Sequence, residues 1–355
     1  MSRFFSDKYR ALTPYTPGEQ PQDKRYIKLN TNESPFPPSE KAVARAAQAA
    51  RQLQLYPDPQ NAVLTAKVAE RCGVSPDEVL LTNGSDDILN FAFMAFCDET
   101  HPAVFPDITY GFYSVFAACN RVPYTELPLK EDLTVNVNDY LGIGKTIFLA
   151  NPNAPTGIVL PRREIERIVK SNPDTVVVVD EAYIDFGGES CIPLIHQYDN
   201  LLVTQTFSKS RSMAGARLGF GVGCAALIQD LNTLKYATNP YNINRMTAAA
   251  GLGVLEDEAY TRANCRAVME NRAYTVRELR RLGFTLTESS ANFVFARHDA
   301  IDGETLYREL KERGILVRHF DTPRLSAYNR ITVGSREEME QFIRTTETIL
   351  EEQKR

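Results

Sequence analysis

The sequence predicts an α/β protein in which a large domain, built on a mainly parallel seven-stranded sheet flanked by helices, is accompanied by a smaller α+β domain. Between residues 78 and 222, seven strand-like runs alternate for the most part with helical patterns, which is typical of helices packed on a parallel sheet. Residues 176–179 are all valine, as a central strand covered on both faces requires. From about residue 240 longer helical patterns and shorter strands replace this alternation, which indicates a second unit.

The first elements are an arm and two helices. Six prolines within residues 1–38 predict an irregular arm. Ser39 is a suitable N-cap for an alanine-rich helix that ends near residue 53. A second helix is predicted over 61–72, and a third over 85–97. The strands are predicted at 78–81, 103–105, 121–125, 146–150, 175–179, 201–206 and 218–222.

The C-terminal third is predicted to begin with two long helices, at 244–256 and 258–281. They lead to strands at 285–287 and 292–296, a helix at 303–313, strands at 315–318 and 330–333, and a last helix from Arg336. We therefore expect four parts: an N-terminal arm (1–38) that joins the small domain, a large ligand-binding domain (39–240), long linking helices (241–280) and a small C-terminal α+β domain (281–355).

The composition excludes several classes of protein. Apolar residues make up 43 % of the 355 residues, enough for a continuous core, so the chain is not disordered as a whole. A formal charge of −5 without a basic block disfavours binding to nucleic acid or to an anionic membrane. Six scattered cysteines and four scattered histidines favour neither disulfides nor a metal site. We expect no metal, no membrane span and no export signal, and hence a cytoplasmic location.

Three familiar motifs are absent or incomplete. The segment 142–146 ends like a P-loop, but Asp139 occupies the position of the first glycine and a strand follows. The segment 219–223 lacks the third glycine of a dinucleotide fingerprint, because Cys224 stands there. No G-x-S-x-G occurs, so the nucleophile elbow of hydrolases is excluded.

Four polar segments stand where predicted strands end, and ligands of open α/β sheets bind at that edge. The first, at 82–86, offers backbone amides at a helix N-terminus to an anion. The last places the amine of Lys209 beside hydroxyl groups and an arginine. Each segment alone could be an ordinary turn or strand end, but their coincidence predicts one site. They are Thr82-Asn83-Gly84-Ser85-Asp86, Asn151-Pro152-Asn153-Ala154-Pro155-Thr156-Gly157, Asp180-Glu181-Ala182-Tyr183, and Thr206-Phe207-Ser208-Lys209 with Arg217.

Together these segments resemble the fold-type-I pyridoxal-phosphate enzymes of aminotransferase class I and II. The shared pattern is N-G-S-D at 83–86, N-P-N-x-P-T-G at 151–157, D-E-A-Y at 180–183, and S-K at 208–209 with Arg217. Within that group the chain is most similar to the histidinol-phosphate aminotransferases. The similarity runs from L-T-P-Y at 12–15 and L-N-T-N-E-S-P at 29–35 to V-R-H-F at 317–320 and R-I-T-V-G-S at 330–335. Aromatic, phenylalanine and threonine-phosphate enzymes share much of the pattern.

The resemblance implies pyridoxal 5'-phosphate as the cofactor and gives each matching residue a role. Lys209 would bind the cofactor covalently and later act as the base that moves a proton. Asp180 would pair with the ring nitrogen, Tyr183 would donate to the phenolic oxygen, and Tyr110 would stack on the ring. The phosphate would be held by the amides of Gly84, Ser85 and Asp86, by Thr206, Ser208 and Arg217, and by Tyr56 from the neighbouring subunit of a homodimer with shared active sites.

The resemblance also implies a substrate pocket and shows two departures from the family's pattern. Tyr15, Arg318 and Arg330 would hold the substrate anion, because arginine binds a phosphate or a carboxylate in the same planar geometry. Ala154 stands where the family has an asparagine that donates to the phenolic oxygen, and Asn153 is the candidate replacement. Leu55 stands where many relatives have an arginine.

The function implied is transfer of the amino group of L-histidinol phosphate to 2-oxoglutarate, which gives imidazole acetol phosphate and L-glutamate in histidine biosynthesis. An aromatic or broad-range amino-acid aminotransferase, or a phospho-amino-acid decarboxylase of the same fold, is the alternative with the same cofactor. A non-catalytic binding or regulatory protein of this fold is the alternative from another class, and the retained Lys209 disfavours it. The residues leave the amino donor open, since an imidazole and a phenyl ring require similar pocket walls.

Overall fold

A computed structural model describes residues 2–353. Its strands are β1 (Ile27–Lys28), β2 (Val79–Thr82), β3 (Ala103–Pro106), β4 (Tyr124–Leu127), β5 (Thr146–Ala150), β6 (Val177–Asp180), β7 (Leu201–Thr206), β8 (Gly219–Gly223), β9 (Thr285–Leu286), β10 (Phe293–Arg297), β11 (Ile315–Leu316), β12 (Arg318–His319) and β13 (Tyr328–Thr332). Its α-helices are α1 (Glu40–Ala50), α2 (Ala62–Cys72), α3 (Ser85–Phe96), α4 (Phe112–Asn120), α5 (Arg162–Ser171), α6 (Ala225–Thr238), α7 (Arg245–Leu255), α8 (Glu258–Arg281), α9 (Gly303–Glu312) and α10 (Arg336–Glu352).

The large sheet has seven strands in the order β2-β8-β7-β6-β5-β3-β4. Only β8 runs against its neighbours, so the predicted mainly parallel seven-stranded sheet is confirmed. The valines of β6 are fully buried and point alternately to two cores. Val177 and Val179 pack in one core with Ile165 of α5, while Val178 packs in the other with Phe93 of α3. Helices therefore cover both faces of the sheet.

The helices predicted from caps and periodicity agree with the structure to within a few residues. Ser39 caps α1, because its hydroxyl accepts a hydrogen bond from the Ala42 amide. Two strand predictions were wrong in their bounds. The strand expected at 121–125 lies at Tyr124–Leu127, because Arg121 ends α4 in the left-handed conformation with φ 57°. The strand expected at 315–318 divides into β11 and β12, which belong to different sheets.

A second, antiparallel sheet with the order β12-β13-β10-β9 supports the C-terminal part. It shares a core with α8, α9 and α10, which includes Phe293, Leu310 and Phe342. Strand β1 of the arm pairs in parallel with β11. The domain boundaries stay a prediction. Helix α7 contributes Val254 to the core of the large sheet, whereas α8 contributes residues to the second core.

None of the helices within residues 2–353 is both long and apolar enough to cross a membrane.

Candidate active site

Two adjoining cavities lie at the carboxyl edge of the large sheet. The inner cavity, of about 460 Å³, is bounded by the ends of β2, β6 and β7. The outer cavity, of about 710 Å³, extends from there to the arm and the second sheet. Five of the lining residues are common to both cavities: Thr31, Tyr110, Ala154, Tyr183 and Lys209. The polar segments that follow separate strands in the sequence therefore converge on one space.

The floor of the inner cavity is the N-terminus of α3. Gly84 precedes this helix with φ 89°, and a Cβ atom there would lie 2.6 Å from Nη2 of Arg217. A glycine therefore brings the arginine close to the first amides of the helix, which have no partner within it. Arg217 forms an ion pair with Asp86 at 2.8 Å, and Ser85 lines the cavity beside them. Free amides at a helix terminus with an adjacent guanidinium form a binding place for an anion.

Two hydroxyl groups complete this end of the inner cavity. The Thr206 hydroxyl donates to Ser208 Oγ at 3.0 Å, and its oxygen accepts from the Ser208 amide at 3.1 Å. Both residues are buried and line the cavity. Close packing of the backbone holds this arrangement together, because a Cβ at Gly219 would lie only 2.3 Å from the amide nitrogen of Ser85.

Asp180 presents a buried carboxylate at the end of β6. It is 5 % exposed, and no cationic side chain within residues 2–353 forms an ion pair with it. Its oxygens accept from the Tyr113 hydroxyl at 3.3 Å and from the Ala182 amide at 3.2 Å. Burial, together with the nearby charge of Asp86, raises the pKa of Asp180 to about 7. The carboxylate is thus in an environment that favours a cationic partner.

Lys209 lies where the two cavities meet. Its Nζ donates to the Thr31 carbonyl at 3.4 Å, and within residues 2–353 it makes no ion pair. Burial and, second to it, the positive charge of Arg330 lower the pKa of the Lys209 amine to about 8. An amine in this state is partly neutral near pH 7 and can act as a nucleophile or a base.

Two aromatic hydroxyl groups face the inner cavity. The Tyr183 hydroxyl accepts a hydrogen bond from Asn32 Nδ2 at 3.0 Å, and among the described residues it donates to none. Its proton is therefore free to be donated to a ligand. The Tyr110 hydroxyl donates to Asp86 at 2.8 Å, which fixes its ring on the cavity wall. Burial raises the pKa of the Tyr110 hydroxyl, and the negative charge of Asp86 is the second cause of this rise.

Asn153, the candidate replacement for the missing asparagine, is not among the residues that line either cavity. The side chain of Asn153 is buried, with Nδ2 donating to the Ile108 carbonyl at 3.0 Å and to the Thr156 hydroxyl at 3.1 Å. Its Oδ1 accepts from the Thr109 hydroxyl at 2.9 Å. The whole amide is thus used inside the loop, and it is the methyl group of Ala154 that lines both cavities.

The outer cavity brings together the three residues expected to hold a substrate anion. Arg330 Nη2 donates to the Asn30 carbonyl at 3.1 Å, while its Nε is shielded from solvent and has no hydrogen-bond partner among the described residues. Arg318 makes only long contacts to arm carbonyls, at 3.4 and 3.5 Å. The Tyr15 ring stacks on Phe112 with centroids 4.1 Å apart. Neither arginine forms an ion pair with a carboxylate within residues 2–353.

Tyr56 lies apart from both cavities of its own chain. Its side chain is 78 % exposed and its ring stacks on Tyr241 with centroids 4.7 Å apart. Arg245 of α7 holds this segment by donating to the carbonyls of Leu55 and Tyr56 at 3.0 and 2.7 Å.

Three site residues were not assigned a role from the sequence. Asn32 contacts Tyr183, Tyr113 contacts Asp180, and Thr31 contacts Lys209. Asn32 adopts φ 55° in the left-handed region, which asparagine tolerates better than most residues, but this conformation is visible only in the structure.

Comparisons with known proteins show the family to which the chain belongs. The sequence model described as aminotransferase class I and II matches residues 24–345. Histidinol-phosphate aminotransferase 2 of Dechloromonas aromatica (strain RCB) is 51 % identical over 342 residues, which cover 94 % of this chain and 96 % of that one. Histidinol-phosphate aminotransferase of Brachyspira hyodysenteriae (strain ATCC 49526 / WA1) is 46 % identical and is covered to 99 %, as is this chain.

The fold has the same relatives. The crystal structure of histidinol-phosphate aminotransferase from Sinorhizobium meliloti in complex with pyridoxal-5'-phosphate superposes with a TM-score of 0.89, covers 99 % of both chains and is 22 % identical. That likeness concerns the fold, whereas the match over residues 24–345 and the full-length similarity concern the sequence itself. The chain belongs to the class I and II aminotransferase family.

Proposed function

We propose that this protein is a pyridoxal-phosphate-dependent aminotransferase that transfers the amino group of L-histidinol phosphate to 2-oxoglutarate, in histidine biosynthesis. The observation that carries the proposal is a pair of buried charged groups on two adjoining cavities that lack partners among residues 2–353. Asp180 is a buried carboxylate with no cationic partner there, and Nε of Arg330 has no hydrogen-bond partner there. Buried charges of this kind are stable when a ligand supplies the opposite charge. The names of the full-length relatives support the same substrate.

The lining of the inner cavity fits pyridoxal phosphate in its chemistry. The anion site formed by the backbone amides of Ser85 and Asp86 and by the Arg217 guanidinium suits a phosphate group, and Asp180 suits a protonated ring nitrogen. Lys209 suits an aldehyde, which it would bind covalently through Nζ. When bound, pyridoxal phosphate supplies a reactive aldehyde and a ring that withdraws electrons from the carbon being deprotonated.

The residues of the chain have separate tasks around that group. Asp180 would hold the proton on the ring nitrogen, because its buried carboxylate favours a cation beside it. Tyr183 would donate its hydroxyl proton to the phenolic oxygen, with Asn32 fixing the direction of that hydroxyl. Lys209 Nζ would take the proton from Cα of the amino donor, as an amine with a pKa of about 8 allows.

The outer cavity would receive two substrates in turn. Histidinol phosphate carries a phosphate ester and no carboxylate, whereas 2-oxoglutarate and glutamate carry two carboxylates. Arg330 and Arg318 can bind either anion through paired N–H groups. Tyr15, stacked on Phe112 beside them, adds a hydroxyl donor from the arm.

A homodimer with shared active sites is part of the proposal. Large apolar side chains are exposed on two segments, 53–63 and 236–241, which surround Tyr56 and Tyr241. Exposed apolar groups gathered in this way are typical of a surface covered by another chain. In a symmetric dimer Tyr56 could then reach the phosphate site of the neighbouring subunit. The cytoplasmic location stays a prediction.

Amino-donor profiling of the purified, cofactor-loaded protein tests the proposed function. The visible absorption band of the loaded protein should shift when histidinol phosphate is added and return when 2-oxoglutarate follows. A larger rate with phenylalanine would support the aromatic aminotransferase instead. Release of carbon dioxide from a phospho-amino acid would support the decarboxylase. If none of the tested amines shifts the band, the result would support the non-catalytic binding protein.

A further inference from the structure

Arg324 lines the outer cavity and connects the C-terminal unit, which contains the second sheet, to loops of the large unit, which contains the seven-stranded sheet. Arg324 lies on the turn between β12 and β13, the strands that carry Arg318 and Arg330. Its Nη1 donates to Asp107 Oδ2 at 2.7 Å, and its Nη2 donates to the carbonyls of Leu129 and Lys130 at 2.9 and 3.1 Å. A single side chain therefore binds two loops of the large unit from the edge of the second sheet.

The acceptors of Arg324 belong to the wall of the cavity. Asp107 directly follows β3, and the residues after it, 108–111, line the outer cavity and carry Tyr110. The other carboxylate oxygen of Asp107 accepts from the Leu129 amide at 2.9 Å. Asp107 thus ties the two loops of the large unit to each other as well as to Arg324.

An apolar contact lies directly behind this ion pair. Leu325, the residue after Arg324, is 6 % exposed and belongs to a small core that is separate from the three larger ones. This small core contains Ile108, Leu129 and Leu133 from the large unit and Phe295 from β10. The turn 321–327 is therefore attached to the large unit by a polar and an apolar contact in adjacent residues.

We propose that Arg324 is a positioning residue that holds the anion-binding arginines at the distance from Lys209 that the substrate spans. This inference rests on the proposed function, in which one substrate contacts Lys209 at one end and Arg318 and Arg330 at the other. The Nη1 and Nη2 groups of Arg324 are engaged by Asp107 and by two loop carbonyls, so we assign it a role through the two arginines.

We call the arrangement in which Arg324 holds the turn 321–327 on the large unit the closed arrangement. The expected effect follows from the fraction of molecules in it. A turn held by few contacts opens more often when one of them is lost, and the contacts that hold the turn 321–327 on the large unit include those of Arg324 and Leu325. If loss of the guanidinium reduces the closed fraction to about a tenth, the apparent affinity for a substrate that requires both ends falls about tenfold. The chemical step at Lys209 is unchanged once the substrate is bound, so kcat should change less than KM.

Arg324→Met tests the proposal in the cofactor-loaded, full-length protein, because methionine keeps an unbranched apolar side chain without the charge. We expect KM for histidinol phosphate to rise about tenfold, with kcat within threefold of the original. Asp107→Asn keeps an acceptor for the Leu129 amide and should give a smaller rise in KM. The double variant should have the same KM as Arg324→Met alone, because both substitutions remove the same contact between Arg324 and Asp107. The matched control is Arg280→Met, which removes an exposed ion pair between Arg280 of α8 and Glu288. It should leave KM unchanged.

Hydrogen exchange gives a readout that does not depend on any substrate. In Arg324→Met, amides of the segments 127–135 and 321–329 should exchange faster than in the original protein, while the segments around β6 should not. Unchanged exchange in both segments would overturn the proposal that the Arg324 hydrogen bonds act as a clamp on the turn 321–327, even if the protein proved to have another activity. Accelerated exchange with unchanged KM would overturn the link between the clamp and substrate binding. Absence of transamination in the unsubstituted protein would instead contradict the proposed function.

Discussion

Replacing Asp180 by asparagine should stabilise the cofactor-free protein, and the gain should grow as the pH rises. Burial raises the pKa of the Asp180 carboxyl to about 7, whereas an aspartate in an unfolded chain has a pKa of about 3.9. The folded protein therefore binds this proton more tightly than the unfolded chain does. The contribution of Asp180 to the free energy of unfolding is therefore complete below about pH 4, and it is lost as the pH rises to 7. Three units at 1.36 kcal/mol each give a loss of about 4 kcal/mol above pH 7.

Asparagine avoids that loss, since it fits the same contacts without a charge. Its oxygen can accept from the Ala182 amide and its nitrogen can donate to the Tyr113 hydroxyl oxygen. The variant should therefore equal the original protein near pH 4 and exceed it by up to about 4 kcal/mol at pH 8. Pyridoxal phosphate should reduce or reverse the difference, because a cationic ring nitrogen would stabilise the carboxylate only in the original protein.

Urea unfolding of the cofactor-free proteins between pH 4 and pH 8, followed by circular dichroism, measures this difference. Asp174→Asn is the matched control, because Asp174 is an exposed carboxylate in the loop before β6. It should shift the unfolding midpoint little at any pH. A gain for Asp180→Asn that stays constant with pH, or that the control reproduces, would refute the argument from burial.

The other predictions concern activity. Lys209→Ala should abolish transamination while circular dichroism stays unchanged, and borohydride reduction of the original protein should place the cofactor on Lys209; a label on another lysine would end that assignment. Arg330→Ala should slow both half-reactions, whereas Arg318→Ala and Tyr15→Phe should weaken histidinol phosphate more than glutamate in half-reaction kinetics. An Arg330→Ala protein with normal rates for either substrate would contradict the shared anion pocket. Asn32→Ala should lower kcat about tenfold, the size of one hydrogen bond, with cofactor affinity little changed; an unchanged kcat would show that Tyr183 needs no partner.

The fold could be predicted because its signals are local. The valines of β6 are apolar at consecutive positions, and the structure buries them on both faces of the sheet. The Ser39 cap fixes the start of α1 from the identity of one residue and its neighbours. The general place of the site followed from the same logic, since the ends of parallel strands lie at one edge. Where a signal depended on distant pairing, as for the division of 315–318 between two sheets, the sequence pattern was insufficient.

The details of the site depend on contacts that no local pattern contains. Asn32 and Tyr183 are 151 residues apart, and Lys209 and Thr31 are 178 apart. Residue type and position at a strand end do not determine where a side chain points. Asn153 illustrates this, because it has the chemistry of a ring-oxygen donor and the adjacent position, yet its amide is used by the loop.

Ala154 therefore changes the distribution of tasks around the inner cavity. With a methyl group at this wall and Asn153 turned into the loop, Tyr183 would be the hydroxyl donor to the phenolic oxygen of the cofactor. A phenol can donate in one direction only, and Asn32 occupies its oxygen from the other side at 3.0 Å. The hydrogen bond from Asn32 also disperses the negative charge that forms on Tyr183 when it donates, which makes it a better donor. We infer that the arm, through Asn32, would take over part of the electronic role that the resemblance implies for an asparagine at position 154.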